Sequence, residues 1–368
     1  MLDKQKINYA SSLAVHPLIA EHPLYKSILE SDLDKFFFTE NDFNSSLSVV
    51  PTYYKYLNIP HCIVIEDYIT LFFPHIHNGS NYQFDYKNFE FLNEYSQAFQ
   101  SDNFRGVICH MKQTLESIDK MFGYNEKISK KLFYLPLAYD NSIEKIKTTN
   151  PEKIVFTFTN SFGGQKNNFP LRGGLESLMV FKELYESGYK NIYLNLIGEL
   201  NIDPQLLNWM TECDNVKIHE PNTTRHGRLM MTEESIHDVL LDTDIFLIPA
   251  CRIHSMSVVR ALCYGNIVLG SNGWGFNEFL DEEFCCAGQE NSSYIEDGVL
   301  KEKYSLFLEQ PNDKLFLSLK NKVVDLIDDH VKMDKIKNTN LRQSKEKFSK
   351  KKRDLILEEI LSSMTKGI

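Results

Sequence analysis

The segment CRIHSMSVVRALCYG, residues 251 to 265, sets Arg252 and Arg260 eight positions apart, on either side of a polar turn that opens a helix. A helix start presents unpaired backbone N–H groups and the positive end of a dipole, so the amides at His254, Ser255 and Met256 suit an anion. Ser255 or Ser257 is expected to cap this helix, and Gly265 to stop it. A second cationic segment, TNSFGGQKNNFPLRGGLE (159 to 176), brings Gly163, Gly164, Gly173 and Gly174 together with Lys166 and Arg172 ahead of another helix. Glycine-rich backbone, a helix N-terminus and two cations together match a diphosphate. In the first half, VIEDYITLFFPHIH carries Asp67, His75 and His77 near a strand end. Those side chains suit an acid, a base or a substrate contact; His-x-His alone is weak support for a metal.

These groups need elements to hold them at one place. KIVFTFTN, NIYLNLIGEL, NVKIHEP, DIFLIPA and NIVLGSNG read as strands, and YSLFLEQP (304 to 311) as a further short one. Helical spacing lies between them in LESLMVFKELYESG, PQLLNWMTEC, EESIHDVLLDT and SMSVVRALCY. Strands alternating with helices predict βαβ units and a parallel sheet, and in such sheets ligands sit beyond the carboxyl ends of the strands. Both cationic segments fall at that end. The Asp-Thr-Asp of residues 242 to 244 precedes its strand instead, so a structural role is expected there and no metal. Before residue 150, HCIVIEDYITLFF, GVICH and KLFYLPLAYD read as strands of a second α/β unit, with a helix after GVICH that Gly123 ends.

The chain has 368 residues, enough for two domains, and 42% hydrophobic with 24% charged residues is a globular composition. No apolar run reaches the roughly 20 residues that span a bilayer, and no signal peptide is read, so a cytoplasmic location is expected. The seven cysteines are scattered and form no CxxC pair, which fits free thiols in a reducing compartment. A net charge of −10 argues against a nucleic-acid partner. From Val331 onward, however, 11 Lys and Arg face 5 Asp and Glu, a basic tail able to meet an anionic membrane surface.

The ordered blocks TDIFLIPA, RALCYGNIVLGSN and GWGFNE, with FTFTNSFGGQKNNFPLRGGLESLMVF and YLNLIGEL before them, resemble the donor domain of retaining GT-B glycosyltransferases, the glycogen-synthase-like and mannosyltransferase-like group (family 4, or group 1). The likeness covers roughly residues 153 to 290. It implies a GT-B α/β fold of two Rossmann-like parallel-sheet domains facing across a cleft. Residues 1–150 would form the acceptor-side domain and 151–335 the nucleotide-sugar donor domain, with 336–368 a basic helix crossing back. It implies a donor diphosphate held by Lys166, Arg172 and the amides of His254 to Met256. Asn160, Gly164, Gly173, Arg252 and Glu278 would line the same site, and Arg260 would lie near the ribose. Asp67, His75 and His77 would be the catalytic candidates. No metal or other cofactor is implied.

The implied activity is transfer of a sugar from a nucleoside-diphosphate sugar to a glycan or lipid-linked acceptor in surface-polysaccharide synthesis. Two positions depart from the family. Its two glutamates fall on Arg252 and Arg260, so two hydrogen-bond acceptors have become donors. That departure favours the alternative, a GT-B-shaped scaffold subunit without transfer chemistry that supports a partner glycosyltransferase.

Overall fold

A computed structural model describes residues 7–11, 36–38, 61–65, 90–102, 104–140, 143–160, 168–225, 228–289, 295–296, 299–300 and 312–365. The chain divides into two compact units. One comprises Met1–Tyr139, Ile295–Leu300 and Phe348–Ile368, the other Asp140–Tyr294 and Lys301–Lys347.

The first unit is built on five parallel strands, β1 (Ile7–Ser11), β2 (Phe36–Phe38), β3 (His61–Ile65), β4 (Phe104–Cys109) and β5 (Leu132–Tyr134). Their spatial order is β2-β1-β3-β4-β5, the 2-1-3-4-5 order of a doubly wound sheet. Helix α1 (Glu90–Gln100) runs into β4, and its Phe99 ring stacks on Phe104 with centroids 4.4 Å apart. Helix α2 (Lys112–Met121) follows β4 and ends where Gly123 turns left-handed; the short α3 (Glu126–Ser129) leads into β5.

The second unit is described more fully. Strands β6 (Ile154–Thr159), β7 (Ile192–Ile197), β8 (Val216–His219), β11 (Ile245–Leu247), β12 (Ile267–Ser271) and β13 (Cys285–Cys286) are all parallel. Between β8 and β11 lies a separate antiparallel hairpin, β9 (Thr223–Arg225) and β10 (Arg228–Met230). The large sheet runs β13-β12-β11-β6-β7-β8, so counting its own strands along the chain gives the 3-2-1-4-5-6 Rossmann order. Alternation along β6 sorts its faces. Phe156 and Phe158 meet Phe181 and Phe169 on the helical side of α4 (Asn168–Leu171) and α5 (Gly174–Glu186). Thr157 points the other way and bonds Thr243 at 2.7 Å. Each fully buried phenylalanine contributes about 1.5–3 kcal/mol through lost apolar surface.

Helix α6 (Pro204–Glu212) joins β7 to β8, α7 (Glu233–Asp242) leads into β11, and α8 (Ser255–Cys263) joins β11 to β12. After β13 come α9 (Asp313–Ile327), α10 (His330–Lys347) and α11 (Lys350–Thr365). Helix α9 packs on α5, and α10 packs on α8 and β12. Helix α11 belongs to the first unit and buries Leu357, Ile360 and Met364 along one stripe. The expected strand YSLFLEQP lies outside the described residues, as does the continuation of HCIVIEDYITLFF beyond Ile65.

Asp244, just before β11, is 1% exposed and anchors this unit. Its Oδ2 accepts the Val155 N–H at 3.0 Å and its Oδ1 pairs with Lys337 Nζ of α10 at 2.6 Å. Lys337 also donates to the Lys147 carbonyl at 2.8 Å. The neighbouring Asp242 bonds Lys147 and Lys153; burial pushes its carboxyl up, but the two lysines outweigh that and hold it below the usual range. Both carboxylates of the Asp-Thr-Asp segment are therefore committed to lysines at the amino end of the sheet.

Candidate functional site

The 3-2-1-4-5-6 order reverses direction between β6 and β11, and in sheets of this order ligands bind beyond the carboxyl ends of the strands at that switch point. Three loops meet there. The Cys251 N–H after β11 donates to the Leu171 carbonyl of α4 at 3.1 Å. The Ile253 N–H donates to the Trp274 carbonyl at 2.9 Å, and the Trp274 N–H to the Cys251 carbonyl at 3.2 Å, so the loops after β11 and β12 are zipped together. Ser271 Oγ donates to the Ala250 carbonyl at 2.5 Å and accepts the Gly273 N–H at 2.9 Å.

Two glycines are required by these approaches. Gly173 sits at φ +72 as the cap residue of α5, and a Cβ there would lie 2.6 Å from the Pro249 carbonyl oxygen. A Cβ on Gly273 would stand 2.4 Å from the Cys251 carbonyl oxygen. The N-termini of α5 and α8 are thus brought to the same end of the sheet, each with the positive end of its dipole there.

Asn160 lies at the floor of this region, 6% exposed. Its Nδ2 donates to the Glu199 carbonyl at 2.6 Å, which fixes the amide, and among the described residues the buried Oδ1 has no hydrogen-bond partner. Thr159 Oγ1 beside it likewise has no partner among the described residues. Two acceptors at the switch point suit hydroxyl or N–H groups of a ligand, complementing the donor amides of the helix starts.

The other expected site residues fall as follows. Arg172 is half-buried directly before Gly173; Arg252 is buried, and its backbone bridges to Trp274. His254 is the cap position of α8, with no side-chain cap bond, and Ser255 is the first helical residue, fully buried. The expected serine cap is therefore corrected, because the pairing of Ile253 with Trp274 sets the helix entry earlier than either serine. Met256 is buried beside it, and Gly265 ends the helix at φ +77. Arg260 lies in the last turn of α8 and forms an ion pair with Glu233 at the start of α7. The same two helices are tied by His237 Nδ1 and Tyr264 Oη at 2.5 Å. Glu278 sits in the turn Phe276–Glu278 after β12, half-buried, its carbonyl accepting from Lys347 Nζ at 3.0 Å. Gly164, Lys166, Asp67, His75 and His77 lie outside the described residues.

Sequence reasoning passed over several polar groups. His219, at the end of β8, bonds Asn195 Oδ1 at 2.8 Å, and burial, with Lys217 nearby, pushes its imidazole down to about 4. Glu176 in the first turn of α5 is raised by burial, and its Oε1 accepts the Asn312 N–H at 2.9 Å. Neither had a local signal, since their partners stand 24 and 136 residues away. Among the described residues, no group of three or more His, Cys, Asp and Glu could hold a metal ion, and no helix is long and apolar enough to cross a membrane.

No family model matches the sequence, and no curated protein matches it. Solved structures do resemble the fold. A crystal structure of TarM aligns over 84% of this chain with a TM-score of 0.51 and 14% identity. A point mutant of S. aureus TarM, in complex with Fondaparinux, α-GlcNAc-glycerol and UDP, aligns over the same share with a TM-score of 0.50 and 14% identity. The chain spans about half the length of these structures, covering 51% of each.

Proposed function

We propose that the chain is a glycosyltransferase of GT-B type that moves a sugar from a nucleoside-diphosphate sugar to a glycan or lipid-linked acceptor, in surface-polysaccharide or glycoconjugate synthesis. One observation carries this reading: the loops after β6, β11 and β12 converge at the Rossmann switch point, with two helix N-termini and Arg172 beside them. The presence of UDP and a glycosylated glycerol in the TarM complex supports it. In this reading Lys166, Arg172 and the amides of His254 to Met256 hold the diphosphate, and Asn160 Oδ1 accepts a hydroxyl of the donor. Gly164, Gly173, Arg252 and Glu278 shape the pocket.

Charge developing on the leaving diphosphate is stabilised by these fixed donors, which need no reorganisation during transfer. No metal ion is assigned to the step, and retention of configuration follows the family. Asp67, His75 and His77 are assigned to the acceptor side as acid, base or positioning groups.

The test is a thermal-shift panel of UDP, GDP, ADP, CMP and dTDP, with and without EDTA, on the wild type and Arg172→Ala. At 100 times its dissociation constant a ligand stabilises by about 2.7 kcal/mol. Stabilisation by one nucleotide, indifferent to EDTA and lost in the variant, is expected. No shift with any nucleotide would sink the donor site. The scaffold reading would then take its place, and the ion pair that already engages Arg260 favours it.

A further inference from the structure

The donor site leaves one buried acid without a role. Glu176 stands in the first turn of α5 and is 5% exposed. The first intrahelical bond there runs from the Ser177 N–H to the Gly173 carbonyl at 3.0 Å, so the N–H groups of Gly174, Leu175 and Glu176 precede the ladder. These are the donors that an anion at this helix start would use.

The carboxyl is tied at one oxygen. Its Oε1 accepts the Asn312 N–H at 2.9 Å. Asn312 caps α9, its Oδ1 accepting the Leu315 N–H at 3.1 Å, and its Nδ2 donates to the Gly288 carbonyl at 2.7 Å. Gly288 permits this approach at φ +122, where a Cβ would stand 2.6 Å from the Leu315 nitrogen. The other oxygen, Oε2, is buried and has no hydrogen-bond partner among the described residues. The charged and titratable groups on the elements packed around it are Arg172 before α5, Asp313 and Lys314 in the first turn of α9, and the Cys285 and Cys286 thiols of β13. None of them acts on the carboxyl: burial is the largest influence and pushes it up, and the N–H groups of Asn312 and of Glu176 itself pull it down. A negative charge here is buried, unpaired with any described cation, and inside the turn that a phosphate would enter. Two anions that close repel strongly where water is excluded, whereas a neutral acid leaves the positive end of the helix to the ligand.

We propose that Glu176 is a proton-linked positioning residue: the start of α5 binds a phosphate-bearing anion together with one proton, which Glu176 takes up from solvent. That the anion is the donor diphosphate rests on the glycosyl-transfer reading above; the link between anion and proton does not.

Inorganic pyrophosphate is the probe, titrated calorimetrically into the full chain as wild type, E176Q and E176A between about pH 5 and pH 9, in buffers of different ionisation heat. Protons that belong to pyrophosphate itself enter all three titrations equally. The wild type is expected to take up as much as about one further proton per pyrophosphate bound. Affinities of wild type and E176Q should agree at the acid end, and E176Q should bind about tenfold tighter at the alkaline end, the result of a one-unit difference between the free and the bound acid. E176A loses the tie to Asn312 as well as the charge, so it should bind more weakly than E176Q by the same factor at every pH. Folding has the same sign. A carboxyl raised above its ordinary 4.5 gives stability that is present below that value and lost as pH rises through the folded one. The wild type should therefore lose melting temperature relative to E176Q as pH rises. An affinity ratio of wild type to E176Q that is constant with pH shows a tie and no more, and overturns the proposal; if E176Q does not fold, the ratio to E176A decides in the same way. Pyrophosphate binding by none of the three also overturns it. Nucleotide stabilisation with a constant ratio removes the proton link and leaves the donor site standing. A ratio that changes as expected, with no nucleotide stabilisation, keeps the link and removes the transferase.

Discussion

His219 shows how much one side chain owes to its surroundings. Its imidazole is pushed from the ordinary 6.5 down to about 4, first by burial and then by Lys217, while it bonds Asn195 across two strands. A group whose folded value is depressed in this way stays neutral when the unfolded chain has already taken its proton. Stability therefore declines as pH falls from about 6.5 towards 4 and levels off below. In melting temperatures measured across that window, His219→Asn should have a shallower slope than the wild type. Parallel slopes would show that the folded histidine titrates normally. The thiols obey the same physics. Burial pushes Cys263 and Cys286 up to about 12 and Cys285 to about 11, so they stay protonated and serve as small apolar groups.

At the scale of elements, the described part of the candidate site is an arrangement of helix starts rather than of reactive side chains. The α5 start touches the end of β11 because Gly173 adopts φ +72 and leaves 2.6 Å where a Cβ would meet the Pro249 carbonyl. Gly173→Ala combines a left-handed strain with that overlap and should cost about 1–3 kcal/mol. It should also weaken nucleotide stabilisation more than Gly188→Ala, which has a positive φ but open space around it. Denaturant titration gives the first quantity and thermal shift with nucleotide the second. Equal effects of the two variants would show that the α5 contact with Pro249 does not shape the site.

On the scale of the whole molecule, Lys337 and Asp244 join α10 to the centre of the second sheet. Their side chains are 3% and 1% exposed, and removing one partner strands a buried charge. Lys337→Met should lower unfolding stability by about 3–5 kcal/mol. Pairing it with Asp244→Asn should restore part of that loss, and a single variant as stable as the wild type would rule out this anchor. Charge is also uneven over the chain. Against the net −10, Arg342, Lys345, Lys351 and Lys352 are exposed on α10 and α11. Co-sedimentation with anionic vesicles should be measurable at low salt, fall as salt rises, and be reduced in K351Q/K352Q. Binding indifferent to salt would discard an electrostatic contact.

The sequence by itself determined the alternation of strands and helices in the second half and the parallel sheet. These are local matters: apolar period, helix spacing and glycine stops such as Gly188 and Gly265 act within a few residues. It also marked the cationic loop at Arg172 and the helix start at His254 to Met256. Tertiary structure alone decided the rest. The strand order that creates the switch point, the zipper between Ile253 and Trp274, the buried pair of Asp244 and Lys337, and the capture of Arg260 by Glu233 all join positions between 21 and 93 residues apart. The β9–β10 hairpin was missed for a different reason. Its Thr-Thr-Arg and Arg-Leu-Met strands are too short to show a period, and the bonds of Asn222 to Met230, Thr232 and Ser235 fasten their base. Contacts of that kind carry no sequence period, because their partners meet only when the chain has folded.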